Sequence, residues 1–163
     1  MRVYLPATRS MLQRLDEDGQ IGTPPVTCFA VTPALREWYA EGDAEELEYA
    51  AFSQAARASL RLLDADPAAP RRRVVVAADV ADDAVTAHPE LDRAVVRLAV
   101  PVRLGQVAAV HVDAPAAESD VRAAAAAIFD ADLGDDDAQF AVDSADGHEL
   151  QWYAAQELPK LLG

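Results

Sequence analysis

The chain has 163 residues, 52% of them apolar, and sets 28 acidic against 14 basic side chains for a formal net charge of −14. That length fits a single domain over 1–163 with a core of its own, and the apolar content excludes wholesale disorder. The charge speaks against nucleic acid, which needs a basic stripe to displace counterions, and no apolar run approaches the ~20 residues of a membrane span, so a cytoplasmic location without membrane contact is expected.

Alternation over Arg2–Leu5 predicts a strand ending at Pro6, and Thr8 is placed to cap a helix carrying Met11, Leu12 and Leu15 that stops at Gly19. After the loop Gly22–Pro25, Val26–Val31 reads as an apolar strand. The one cysteine, Cys28, falls inside it and is read as a core residue rather than a nucleophile, so no internal disulfide exists. Thr32-Pro33 supplies an N-cap and first turn for a short helix to Ala40. Asp43 and Glu46 have capping-box spacing at the start of the longest helix, which reaches about Leu63 before Pro67. Its apolar positions, Leu47, Ala51, Phe52, Ala56, Leu60 and Leu63 among them, cover most of the circumference and predict burial against a sheet.

Arg71, Arg72 and Arg73, the only basic cluster, lead straight into the valine-rich segment ending at Val80 and read as a strand entrance. Two further extended segments, Arg93–Val102 and Val107–Val112, are close enough to form an antiparallel hairpin. A helix over Glu118–Phe129, an acidic loop over Asp130–Asp137, a short strand at Gln139–Val142 and a last helix from about Gly147 complete the reading. In that last helix Asp146 and Glu149 repeat the capping-box spacing, and Pro159 ends or kinks it. The broken βα alternation indicates an α+β fold: a central mixed or antiparallel sheet of about five to six strands with packed helices.

Phe29-Ala30-Val31-Thr32, leading to Trp38-Tyr39-Ala40, is echoed by Phe140-Ala141-Val142-Asp143, leading to Trp152-Tyr153-Ala154. The echo is either a duplicated β-α-β-α unit over 2–40 and 109–154 or a chance match among alanine-rich segments. A duplicated unit predicts a pseudo-two-fold, ferredoxin-like sheet.

Candidate chemistry is sparse. His111 and Asp113, two apart near a strand end, share a face and suit a metal-ligand pair or an oriented base, but two ligands do not make a site. His148-Glu149 reads as a surface histidine and a capping glutamate, since Trp152 stands where HExxH needs its second histidine. The Asp130–Asp137 stretch fails as a calcium loop at Gly134 and Ala141. Glycine-rich phosphate cradles, nucleophile elbows and CxxC pairs are missing, and no cofactor or metal is expected. Arg36, Trp38, Tyr39, His148 and Trp152 are candidate contacts of a concave site where the echoed helices meet, although core packing is the expected role of the aromatic side chains.

On Thr32-Pro33-Ala34-Leu35-Arg36-Glu37-Trp38-Tyr39, Glu45–Ala51, Arg72–Val80 and Ala138–Asp143, the chain resembles an uncharacterised actinobacterial family, the DUF6912 domain of unknown function. The likeness extends from the Arg-Val-Tyr-Leu-Pro start to Trp152-Tyr153 and implies a full-length domain without implying an activity. The expectation is a non-catalytic binding domain with a protein partner or self-association. The rival expectation is a small-molecule-binding domain or enzyme with its site between the two halves, using Arg36, His111, Asp113 or His148.

Overall fold

In the computed structural model, which describes residues 1–163, local capping signals set the first elements. β1 (Arg2–Ala7) leads to Thr8, whose side chain accepts the Met11 N–H at the start of α1 (Arg9–Asp18). Gly19, at φ 74°, closes that helix in the left-handed conformation that glycine adopts without strain. A two-residue strand β2 (Gln20–Ile21) and β3 (Val26–Phe29) follow, then α2 (Pro33–Trp38), capped by Thr32. Asp43 accepts the Glu46 N–H to open α3 (Ala44–Ala65).

The middle of the chain holds β4 (Val74–Asp79), β5 (Val85–Ala87), β6 (Val95–Leu98), β7 (Val102–Arg103) and β8 (Val107–Asp113). It ends with α4 (Glu118–Asp132), α5 (Asp136–Asp146), β9 (Leu150–Ala154) and α6 (Leu158–Leu162). No helix is long and apolar enough to cross a membrane.

The fold is α+β, with a seven-stranded sheet in the order β5-β6-β3-β1-β4-β8-β9, every neighbouring pair antiparallel, and a separate β2–β7 ribbon. β3 and β4 therefore run parallel with β1 inserted between them, and α2 and α3 form the crossover, which is one split βαβ unit. The second unit of a ferredoxin-like sheet is missing, because α4 and α5 connect β8 to its immediate antiparallel neighbour β9. Pro6 sits within central β1, where the ladder to β3 has narrowed to Tyr4↔Phe29 and needs no further donor.

Four expectations are corrected. β6 and β8 form no hairpin: β6 pairs with β3 and β5, while the chain leaves the sheet at Ala99–Pro101 and returns through β7 to the far side of β4. The acidic stretch is not a loop. α4 runs through Asp132, and Asp135 caps α5 by accepting the Ala138 N–H, with Asp136 and Asp137 in the first turn favoured by the helix dipole. Gln139–Val142 thus lies in a helix, whose Ala138, Val142 and Ala145 are buried at helical spacing. The segment after Gly147 is a strand, since β9 completes the ladder on β8 in the register Asp113↔Leu150 to Ala109↔Ala154, and Pro159 occupies the first turn of α6.

The echo therefore joins unlike elements. Its first copy runs from β3 into α2, and its second from α5 into β9. The matching letters do not mark a structural repeat.

The period of two along each strand sorts the sheet's side chains onto two faces. Val3, Leu5, Val76, Leu98, Val110 and Val112 lie in a cluster of 20 buried residues that also takes in Leu12 and Leu15 of α1, Leu158 of α6, and Ile21 and Val102 of the ribbon. Tyr4, Phe29, Val75, Ala77, Val95 and Ala109 face α3 on the opposite side. The C-terminal half of α3, through Leu60 and Leu63, packs under α4 and α5 against Val121, Ile128 and Val142. The Ser59 hydroxyl, fully buried, donates to the Ala7 carbonyl at 2.8 Å and accepts the Val74 N–H at 3.1 Å, which ties α3 to β1 and β4 together.

Candidate functional site

The N-terminal half of α3 has no helix packed over it to match α4 and α5, and a cleft of about 690 Å³ opens there between α3, the sheet and β9. Its floor comes from alternate residues of three adjacent strands, Tyr4, Ala77, Ala109 and His111. Helical spacing turns Glu45, Glu48, Tyr49 and Phe52 toward it from α3, while Glu149, Leu150 and Trp152 border it from β9 and the segment before it. Trp152 lies directly across the ladder from His111.

Phe52 organises the floor. Its ring stands edge-on to Tyr4, with centroids 5.8 Å apart and planes at 87°, and edge-on to His111, at 4.8 Å and 73°. The Tyr4 hydroxyl donates to Glu48 Oε2 at 2.6 Å; burial first, and then this bond, push the phenol well above its ordinary range and keep it a neutral donor. Arg2 is held by Asp79 through a two-point contact, Nε to Oδ1 at 2.8 Å and Nη2 to Oδ2 at 3.1 Å. The bond from Arg2 holds the Asp79 carboxyl below its usual range.

His111 is half-buried, and burial, helped by the positive charge of Arg2, lowers its pKa below the ordinary histidine value. The ring is neutral at pH 7, with one nitrogen donating and one accepting. Neither nitrogen has a hydrogen-bond partner in the protein, and neither is sealed from solvent, so both capacities are open to the cleft.

The end wall is a buried ion pair. Arg73 and Asp113, with side chains 2% and 0% exposed, meet through Nε–Oδ2 at 2.8 Å and Nη2–Oδ1 at 2.9 Å, and the Arg73 backbone N–H also donates to Oδ2 at 2.8 Å. Nη2 further donates to the carbonyls of Ala145 and His148, each at 2.9 Å, joining β4 to the turn that leads into β9. Asp146 stands 3.4 Å from Nη1, and burial raises its carboxyl above the ordinary range.

Of the residues singled out from sequence, His111, His148 and Trp152 border this cleft. His148 directs Nε2 to Asp120 at 2.7 Å. Asp113 is not available as a ligand beside His111, because Arg73 occupies both carboxylate oxygens. Arg36, Trp38 and Tyr39 lie outside it: Arg36 is exposed on α2, and Trp38 and Tyr39 line an adjoining hollow that shares Glu45, Tyr49 and Ser53 with the cleft, with the Arg93 guanidinium 3.6 Å over the Trp38 ring. The two groups of expected contacts therefore do not meet in one site. Tyr4, Glu48 and Phe52 are central and were not singled out. The available signal was Glu48, an acidic residue four before Phe52 on a helix otherwise read as apolar toward the sheet.

No group of three or more His, Cys, Asp or Glu side chains converges to hold a metal ion. The cleft offers hydrogen-bond donors and acceptors, carboxylates and aromatic faces around an alanine-paved floor.

A family model described as a family of unknown function, DUF6912, matches residues 1–162. The chain belongs to that family. No curated protein and no solved structure is significantly similar to it. Membership of DUF6912 spans β1 to α6, so the cleft and all its walls lie within the family's matched region.

Proposed function

We propose that this DUF6912 protein is a non-catalytic binding domain whose cleft takes a small organic ligand. The observation that carries the reading is His111: a half-buried imidazole at the floor of a cleft whose two nitrogens take no partner from the protein and stay accessible to a ligand's polar groups. The size agrees, since small-molecule sites span about 300–1,000 Å³ and combine apolar walls with a few polar groups. The one thiol is remote from the cleft. Cys28 lies in the core on the opposite face of the sheet, its pKa pushed up to about 12 by burial, and a buried, unpaired cysteine suits the cytoplasmic location that is part of this reading.

The test is a metabolite screen by thermal shift, followed by NMR of the hits. A true ligand raises the melting temperature, moves the His111 ring and Trp152 indole signals, and binds about tenfold more weakly to His111→Ala, the size of one or two lost hydrogen bonds. Hits that leave those two signals unmoved, or bind His111→Ala unchanged, overturn it.

A second reading, docking of a protein partner or a second copy, is favoured by Phe129, Leu133 and Phe140, which α4, α5 and their connecting turn leave 66%, 73% and 72% exposed. Sedimentation of wild type against Phe129→Ser/Phe140→Ser separates it from the first, because neither residue borders the cleft.

A further inference from the structure

We propose that the cleft selects an organic cation, an ammonium or guanidinium group carried on an apolar body; this rests on the cleft being a binding site. Most of the charges bordering the cleft are already paired. Arg2 is engaged by Asp79, Arg73 by Asp113 and two backbone carbonyls, and His148 by Asp120. His111 is neutral at pH 7. Every charged arginine and histidine bordering the cleft thus already has a carboxylate partner, and only Arg2 Nη1 keeps donors free.

The carboxylates are in the opposite condition. Glu45 and Glu149 are exposed and make no side-chain hydrogen bond, and Glu48 accepts only the Tyr4 hydroxyl through Oε2, which leaves Oε1 open. An anionic ligand would face these groups with only the already paired Arg2 to offset them, whereas a cation would find partners on both sides.

Each side of the cleft also pairs its acid with an aromatic ring. α3 presents Glu45 and, four residues on, Tyr49, which is 70% exposed; β9 and its approach present Glu149 and Trp152, which is 60% exposed. The face of an indole or phenol attracts a cation through its quadrupole, and more strongly where water is partly excluded. Large aromatic surfaces held in solvent beside unpaired carboxylates suit a ligand with a charged head and an apolar body. A bare metal ion does not fit, because the carboxylates are spread along two walls rather than converging on a point. The net charge of −14 adds a long-range field that draws cations and repels anions.

Three probes of similar shape test the class: phenethylammonium, 2-phenylethanol and 3-phenylpropionate, each titrated into the full chain and followed at the His111 ring and Trp152 indole signals. Phenethylammonium should bind about tenfold more tightly than the alcohol, and the propionate more weakly still. Glu149→Gln and Glu45→Gln, exposed positions whose change leaves the fold intact, should each weaken the cation about threefold to tenfold and leave the alcohol unaffected. If the alcohol or the propionate moves the same signals with equal or greater affinity, the cation assignment fails while the cleft stands as a binding site. Indifference of cation binding to both glutamate substitutions overturns the assignment equally. Failure of all three probes to move either signal overturns the cation class, while the metabolite screen decides the small-molecule reading on its own.

Discussion

The two faces of the sheet are built from alternate residues of the same strands, yet one is sealed from end to end and the other, sealed beneath most of α3, opens into a cleft beside its N-terminal half. On the sealed face, Val3, Leu5, Val76, Val110 and Val112 meet α1, α6 and the ribbon, and Leu12, Leu15 and Leu158 close it almost completely. One residue along each strand, the other face carries Tyr4, Ala77, Ala109 and His111. Valine and leucine fill the space between layers, whereas alanine leaves it vacant, so the cleft exists because the strands place small residues beneath the uncovered end of α3. Core packing and a polar hollow are thus written into one set of strands, and the register of pairing keeps them apart.

The largest test of this contrast is at the end wall. Asp113→Ala leaves the Arg73 charge buried and unpaired, and should cost about 3–5 kcal/mol in urea unfolding. A loss under 1 kcal/mol would mean that water reaches Arg73 and that the wall is not sealed. Next, Leu12→Ala on the sealed face should cost about 2–5 kcal/mol, while Trp152→Ala on the open face stays within about 0.5 kcal/mol and weakens ligand binding instead. Comparable losses from both would erase the distinction between the faces.

The smallest effect is on pH dependence. His111 has a folded pKa below its unfolded value of about 6.5, so the unfolded chain binds the extra proton first, and this contribution to stability is complete above about 6.5 and is lost as pH falls through the folded pKa. His111→Gln should flatten the wild-type decline in that window. An unchanged decline would show that the ring is as well solvated in the cleft as in the unfolded chain.

What the sequence disclosed depended on distance along the chain. Thr8, Gly19, Thr32 and Asp43 act within three or four residues of themselves, and the helix ends they mark are those observed. Asp135 works over the same range, but a run of aspartates resembles a solvated loop, and its capping role is hidden among identical neighbours. Trp152 and Tyr153 suit a helix end or a strand alike, and the ladder with β8 decides between them.

The site was less legible for the same reason. His111 was visible as a candidate, but Trp152 reaches its side by pairing across strands, and Asp113 is withdrawn from solvent by Arg73, forty residues earlier in the chain. No spacing rule encodes either meeting. The basic triplet at Arg71–Arg73 is indeed a strand entrance, yet its third member is the buried arginine of the end wall and its first caps the end of α3 through the Leu63 carbonyl at 2.8 Å.

Ser59 sets the rotational phase of α3. Its single hydroxyl is shared between Ala7 and Val74, so the helix cannot turn about its axis without breaking a contact to one of two central strands. At 3.6 residues per turn, Phe52, Glu48 and Glu45 lie close to whole numbers of turns before it and inherit its bearing. Inserting one alanine between Phe52 and Ser59 would rotate that row by about 100° relative to the sheet. The carboxylates and the ring over His111 would then swing away from the cleft, although no residue lining it had been replaced.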